Sequence, residues 1–377
     1  MLSDSLAKEP GIEVVGTAMD PYVARDKILK LNPDVLTLDI EMPKMDGVTF
    51  LKLIMKHRPM PVIILSSLTT TGSAKALEAL QAGAVDVLAK PNGSMSVFED
   101  SARLAQKIKI AAQVRFKSAP EHTAPAHADA PASIVSKVSQ QPAIQRGAYI
   151  PEPRLIKPAT PIHTQPVPPP SKLVANPRHY PARAIMVMGA STGGTEALKA
   201  VLTALPGDMP GICVVQHIPA YFSMAFANRL NELCRLQVRE AKQGDVVQPG
   251  LVLVAPGGHH LILKWARSQY VVELNDGPMV HHQRPAVDIL FDSAVKAGAG
   301  AEVLSVLLTG MGADGALGML KLRQAGADTI AQNEETCVVF GMPREAIRMG
   351  AAHHILPLPQ IAMHMDRFAG NLASHTA

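Results

Sequence analysis

Ala184-Ile-Met-Val-Met-Gly-Ala-Ser-Thr-Gly-Gly-Thr195 decides how the second half of this chain folds. The apolar run Ala184–Met188 reads as a strand, and the glycines that follow read as a sharp turn. A helix over Thr195–Leu205 comes next, with Leu198, Val201, Leu202 and Leu205 on one face. Further on, Ile212–Val215 is a strand ending at Gln216-His217, a β-rich passage spans Gly244–Pro256, Val303–Leu308 is a strand, and a helix begins after Gly315. Strands alternating with helices predict a doubly wound α/β unit, a parallel sheet covered on both faces. Its ligand site belongs at the C-terminal ends of the strands.

Upstream, the same alternation recurs. Ile12–Ala18 reads as a strand, and Asp20-Pro21 supplies an N-cap and first-turn proline for a helix to Leu31. Strand Val35–Leu38 ends at Asp39, and a helix follows Gly47. Then come strand Val62–Leu65, helix Ser73–Ala82, strand Val85–Leu88 closed by Lys90-Pro91, and a helix over Ser96–Phe116. Between the two regions, Ser118–Pro181 holds 14 of the 31 prolines and shows no periodicity. Such a segment buries too little apolar surface to offset its ordering entropy and reads as a disordered linker, spanning about 45 Å as a flexible coil. The expected division is 1–117, linker 118–181, and 182–370.

Composition narrows the function classes. Hydrophobic residues make up 47% of 377, so each region can bury a core, while aromatic residues are only 4%. A net charge of +4 is too small and too dispersed for a nucleic-acid surface. Cys213, Cys234 and Cys337 form no C-x-x-C pair, which argues against a zinc site or a disulfide framework and for buried small apolar residues. No apolar run reaches membrane-spanning length and Met1–Pro10 lacks signal-peptide character, so the reading is a cytoplasmic protein, monomeric and not inserted in the membrane.

Gly189, Ser191 and Gly193 satisfy the G-x-S-x-G pattern of a nucleophile elbow, which lifts a serine to a helix N-terminus where free N–H groups can bind an oxyanion. Alone, the same glycines equally suit a phosphate- or dinucleotide-binding turn. That alternative calls for an acidic ribose-binding residue at the end of the second strand, and His217 stands near that position instead. Asp314 follows the strand Val303–Leu308. Nucleophile, base and orienting acid thus fall at one sheet edge, where His217 would take the Ser191 proton and Asp314 would fix the imidazole tautomer. The order Ser…His…Asp differs from that of α/β-hydrolases. A non-catalytic regulator, the third class, predicts a broken triad.

At these residues the chain closely resembles the chemotaxis response-regulator protein-glutamate methylesterases, the CheB family. The carrying segments run from Gly189-Ala-Ser-Thr-Gly-Gly194 and Val215-Gln-His-Ile-Pro219 to Val254-Ala-Pro-Gly-Gly258 and Arg284-Pro-Ala-Val-Asp288. Thr309-Gly-Met-Gly-Ala-Asp-Gly315, Thr329-Ile-Ala-Gln332 and Cys337-Val-Val-Phe-Gly-Met-Pro-Arg-Glu-Ala346 complete them. The resemblance implies a Ser191–His217–Asp314 triad with oxyanion amides at Thr192 and Met311. It implies hydrolysis of glutamyl γ-methyl esters, and deamidation of selected glutamines, on methyl-accepting chemoreceptors, with no cofactor for the ester step.

The first region resembles a phosphoacceptor receiver domain, flavodoxin-like, through Leu36-Thr-Leu-Asp-Ile-Glu-Met-Pro-Lys-Met-Asp-Gly47. The resemblance puts the phosphoacceptor at Asp39, the switch hydroxyl at Ser66 and its basic partner at Lys90, with a chemotaxis histidine kinase as phosphodonor. Receivers hold Mg²⁺ through the phosphoacceptor, here Asp39, and paired acids at the end of a first strand. This sequence opens at a point matching the end of the first helix, so that strand and those acids are missing, about 17 residues. The reading is that the natural start lies upstream, because the rest of the pattern is intact. As written, the chain is expected to be poorly phosphorylated and partly uninhibited.

Overall fold

The computed structural model describes residues 2–67, 69–90, 97–114 and 177–374. Most of the proline-rich stretch read as a disordered linker, with Pro91, Ser96 and Phe116, lies outside them. In the first region α1 (Leu2–Leu6) and α2 (Pro21–Leu31) precede β1 (Leu36–Asp39), α3 (Gly47–His57), β2 (Val62–Ser66), α4 (Thr70–Gln81), β3 (Asp86–Ala89) and α5 (Val97–Ala111). The Asp20 carboxylate accepts the N–H groups of Tyr22 and Val23, each at 3.0 Å, and so starts α2 as expected. Thr69 does the same for α4 through the Gly72 N–H, so that helix begins earlier than Ser73.

The sheet is parallel, in the order β1-β2-β3. Its register sets Asp39 opposite Leu65 and Ser66 opposite Ala89, so Asp39, Ser66 and Lys90 share one edge. The strand expected at Ile12–Ala18 is not formed. A strand needs a neighbour's N–H and C=O groups. Here β1 pairs with β2 alone, and Ile12 and Val14 instead lean on a small core containing Leu6, Ile63, Val85 and Leu104.

The second region contains β4 (Ile185–Ala190), α6 (Gly194–Ala204), β5 (Gly211–Gln216), α7 (Phe222–Leu233), β6 (Gln237–Glu240), β7 (Leu251–Val254), β8 (His260–Ala266), β9 (Gln269–Asn275) and α8 (Val287–Lys296). It continues through β10 (Val303–Leu307), α9 (Ala316–Gln324), β11 (Asp328–Gln332), α10 (Met342–Arg348), β12 (His354–Leu356) and α11 (Leu358–Ser374). Seven strands form one parallel sheet in the order β12-β11-β10-β4-β5-β7-β6. Helices pack it into an α/β unit, with β8 and β9 as a separate antiparallel pair that the sequence reading did not resolve.

All six residues of β4 are buried, because helices cover both faces of this central strand. From β4 the chain runs outward through β5 to β7 and β6, then returns to the other side of β4 with β10. That reversal opens a crevice at the C-terminal ends of β4, β5 and β10. Residues 177–181, read as linker, are docked on this region: Arg178 clasps Asp208 with bonds of 2.9 and 3.1 Å and also reaches Asp366. α11 runs to Ser374, past the expected boundary at 370.

Leu198 on α6 is fully buried in the main core, whereas Leu317 on α9 is 49% exposed. Leu198→Ala should lower the unfolding free energy by about 2–5 kcal/mol through lost burial and a residual cavity. Leu317→Ala should change it by less than about 0.5 kcal/mol, both read by denaturant unfolding.

Candidate active site

Ser191 sits on the turn between β4 and α6, with its N–H on the Thr309 carbonyl at 3.0 Å. The turn is possible because of two glycines. Gly193 has φ +77°, and a Cβ there would lie 2.5 Å from Val338. Gly310 lets the loop after β10 approach so closely that a Cβ would meet the Ser191 Cβ at 2.7 Å. His217 follows β5 directly, its N–H on the Ala190 carbonyl at 3.0 Å.

The His217 Nε2 lies 2.8 Å from Asp314 Oδ2, with both side chains almost fully buried. Nδ1 is then the nitrogen left to exchange a proton with a neighbour. Ser191 and His217 line one cleft, without a hydrogen bond between Ser191 Oγ and the imidazole among the described residues. Such nucleophile–base contacts are often loose in free enzymes and tighten with substrate.

Asp314 is held by a helix end. Its Oδ2 accepts the Val287 N–H and its Oδ1 the Asp288 N–H, each at 2.8 Å, and these are the first two unpaired donors of α8. Burial pushes the carboxyl up, but the His217 contact and the two backbone N–H groups outweigh it and hold Asp314 below the usual carboxylate range.

The arrangement is reciprocal. Asp288 on α8 accepts the Gly318 N–H at 2.7 Å and so caps α9, the helix that follows Asp314. Its other oxygen meets His281 Nε2 at 3.0 Å. Burial, helped by the nearby Asp314 charge, raises the Asp288 carboxyl.

Thr192 and Met311, expected to supply oxyanion amides, flank the serine on the β4 and β10 loops. Among the described residues, neither N–H donates to a protein acceptor. Thr309 ties the loops together: its hydroxyl donates to the Thr192 carbonyl at 3.0 Å and accepts the Val339 N–H at 2.9 Å. Gln216 supports the turn from below, with Nε2 on the Ser191 carbonyl at 2.8 Å. Asp288, Thr309 and Gln216 stand inside the resembling segments, yet their motifs alone assign them no role. Their position at strand or helix ends was the available signal.

Cys213 and Cys234 are buried as expected, and Cys337 partly so. Burial pushes the Cys337 thiol up to about 12, so it is inert at neutral pH.

The cleft is covered by the first region. Leu80, Val85, Asp86 and Val87 face Ser191, Gly193, Thr195, Gln216, His217 and Ile218. The cavity left is about 10 Å³, room for one water and not for an ester side chain. Asp86 Oδ2 accepts the Thr192 hydroxyl at 2.8 Å, in a buried contact, and the same oxygen pairs with Lys107 of α5. The cleft lined by Ser191 and His217 is therefore closed in this state.

At the receiver edge, Lys90 Nζ lies 2.8 Å from Asp39 Oδ2, and the Glu41 N–H is 2.9 Å from Oδ1. Ser66 is buried on the neighbouring strand and donates to the Gly72 carbonyl at 3.0 Å rather than to Asp39. Asp20, an acid upstream of β1, caps α2 and pairs with Lys44. Among the described residues, no group of three carboxylate or imidazole ligands surrounds Asp39. The donor set present does not fit a resident Mg²⁺ ion.

Comparison with known proteins places both regions. Residues 186–365 match the CheB methylesterase family model, and residues 1–100 match the response regulator receiver domain. The chain is 48% identical to a protein-glutamate methylesterase/protein-glutamine glutaminase of Syntrophus aciditrophicus, over 97% of this chain and 94% of that one. It is 46% identical to one from Anaeromyxobacter dehalogenans, over 98% and 91%. Among solved structures it is similar to the Thermotoga maritima CheB methylesterase catalytic domain, 39% identical over 49% of this chain and 97% of that one, with a TM-score of 0.48.

Because the folded carboxyl of Asp314 titrates below its unfolded value of about 3.9, its stabilisation is complete above that pH. It is lost as pH falls through the lower folded value. Asp314→Asn should cost on the order of 2 kcal/mol near neutrality through weakened charged hydrogen bonds. The gap to the wild type should shrink below pH about 4. Unfolding free energies at stepwise lower pH check this, and a pH-independent gap would contradict it.

Proposed function

The chain belongs to the protein-glutamate methylesterase/protein-glutamine glutaminase family, and from that membership we propose how its residues divide the reaction. It is a hydrolase of glutamyl γ-methyl esters that also deamidates glutamines, and its receiver domain fits control by phosphorylation. The observation that most supports the residue assignment is the buried His217–Asp314 pair at 2.8 Å in the cleft that Ser191 lines.

Ser191 Oγ attacks the ester carbonyl carbon while its proton passes to His217 Nδ1. Asp314, bonded at Nε2, stabilises the imidazolium. The tetrahedral oxyanion takes hydrogen bonds from the Thr192 and Met311 N–H groups, and loss of one such donor costs roughly 3 kcal/mol in the barrier. The bond to methoxide breaks, His217 returns the proton, and methanol leaves. Water, deprotonated by the same imidazole, then attacks the acyl ester and releases glutamate and Ser191. A glutamine follows the same path with ammonia as leaving group.

The substrates on this reading are methylated chemoreceptors, and the phosphodonor is a chemotaxis kinase. Asp39 receives the phosphoryl group, with Lys90 as its charge partner and Ser66 as the hydroxyl that must turn towards it. Among the described residues, the carboxylates around Asp39 do not form a Mg²⁺ site. The receiver is assigned to 1–117 and the catalytic domain to 177–374, with the stretch between them as linker. No helix among the described residues is long and apolar enough to cross a membrane.

Methanol release from receptor membranes bearing labelled glutamyl methyl esters tests this. Ser191→Ala should lower the rate at least about 10³-fold at equal folded concentration. Equal release from both proteins would overturn the triad assignment. Asp86→Ala removes the buried acceptor of the Thr192 hydroxyl and should raise the rate of the unphosphorylated chain several-fold. An unchanged or lower rate would show that this contact does not hold the cleft shut.

A further inference from the structure

A second cluster lies at the opposite ends of the strands from the triad. Asp328 is the first residue of β11, His354 the first of β12, and His364 stands on α11. His364 Nε2 is 2.8 Å from one Asp328 oxygen, and His354 Nε2 is 3.1 Å from the other. His353 Nδ1 approaches that second oxygen at 3.7 Å. The His354 and His364 rings stand 4.3 Å apart. Three imidazoles thus converge on one carboxylate at the mouth of an open cleft also lined by Ala301 and Gly326.

We propose that Asp328, His354 and His364, with His353 in reach, bind a divalent transition-metal ion of the zinc class. Donor atoms of the first three lie within 4.8 Å of one another. Ligands of a tetrahedral zinc ion stand about 3.3 Å apart, so modest side-chain rotation closes the set. Imidazole nitrogen selects zinc, nickel or copper over magnesium.

One contact opposes binding. Arg367 donates to His364 Nδ1 at 3.0 Å, which keeps the imidazole proton on Nε2. Ligation through Nε2 moves that proton to Nδ1 and displaces Arg367, an exposed side chain that can turn to solvent. The bound ion pins α11 to the sheet edge at β11 and β12. It is remote from Ser191, so its effect is on the stability of that edge rather than on the reaction.

The test uses the untagged full chain, stripped with a chelator and titrated with zinc chloride in excess Mg²⁺. One equivalent should bind and raise the thermal midpoint by about 2 °C or more. His354→Ala, at a half-buried position, should weaken binding at least about tenfold. Arg367→Ala should tighten it several-fold, which surface adsorption would not do. Failure to bind one equivalent, or unaltered affinity in His354→Ala, overturns the site. So does binding that survives in His354→Ala but vanishes in His281→Ala, which would move the ion to the cluster of His281, Asp288 and Asp314.

Discussion

Two N–H groups at the start of α8 hold the carboxylate of Asp314, and the rest of the catalytic face depends on that hold. A buried carboxylate without partners would take up a proton and lose its grip on an imidazole. Here the helix end supplies donors that have no other use, so the charge stays on Asp314 at low conformational cost. Asp288 returns the favour by capping α9, which fixes the loop between β10 and α9. His217 is thereby set with Nε2 engaged and Nδ1 free. Nothing in this arrangement requires the serine to be reached through an α/β-hydrolase topology, and the chain order Ser191, His217, Asp314 follows from the order of the strands that carry them.

The same geometry explains why the first region can govern the second. The cleft is formed by turns at the ends of β4, β5 and β10. Leu80, Val85, Asp86 and Val87 fill it. Asp86 adds a polar bond to Thr192, the residue next to the nucleophile, and Lys107 shares the same carboxylate oxygen. Substrate and receiver therefore compete for one surface. Opening it gives up a modest apolar contact and the buried hydrogen bond from Thr192 to Asp86, while the Asp86–Lys107 pair stays within the first region.

Much of this was legible in the sequence because the decisive features are local. Strand runs such as Ala184–Met188, the glycine turn at 189–194 and the Asp20-Pro21 cap each have a physical cause within a few residues. The site residues also announced themselves by following apolar strands. What escaped was non-local. Ile12–Ala18 has the composition of a strand, but strand formation depends on a neighbour's backbone, which no local pattern reveals. The reciprocal caps of Asp288 and Asp314 join residues 26 to 30 apart in sequence. Thr309 and Gln216 act through backbone carbonyls, and a hydroxyl or amide in a motif does not disclose its partner. Residues 177–181 belonged by composition to the linker, and the contacts of Arg178 and Tyr180 with Asp208 show them docked.

The central claim is that Ser191 carries the acyl group. A rapid quench of the phosphorylated chain on methylated receptor helices, followed by peptide mass spectrometry, tests it directly. An ester-linked receptor adduct on the peptide containing Ser191, transient and enriched by His217→Ala if that variant still acylates, is the expected result. Steady methanol release with no adduct at any time, or an adduct on another residue, would contradict the assignment.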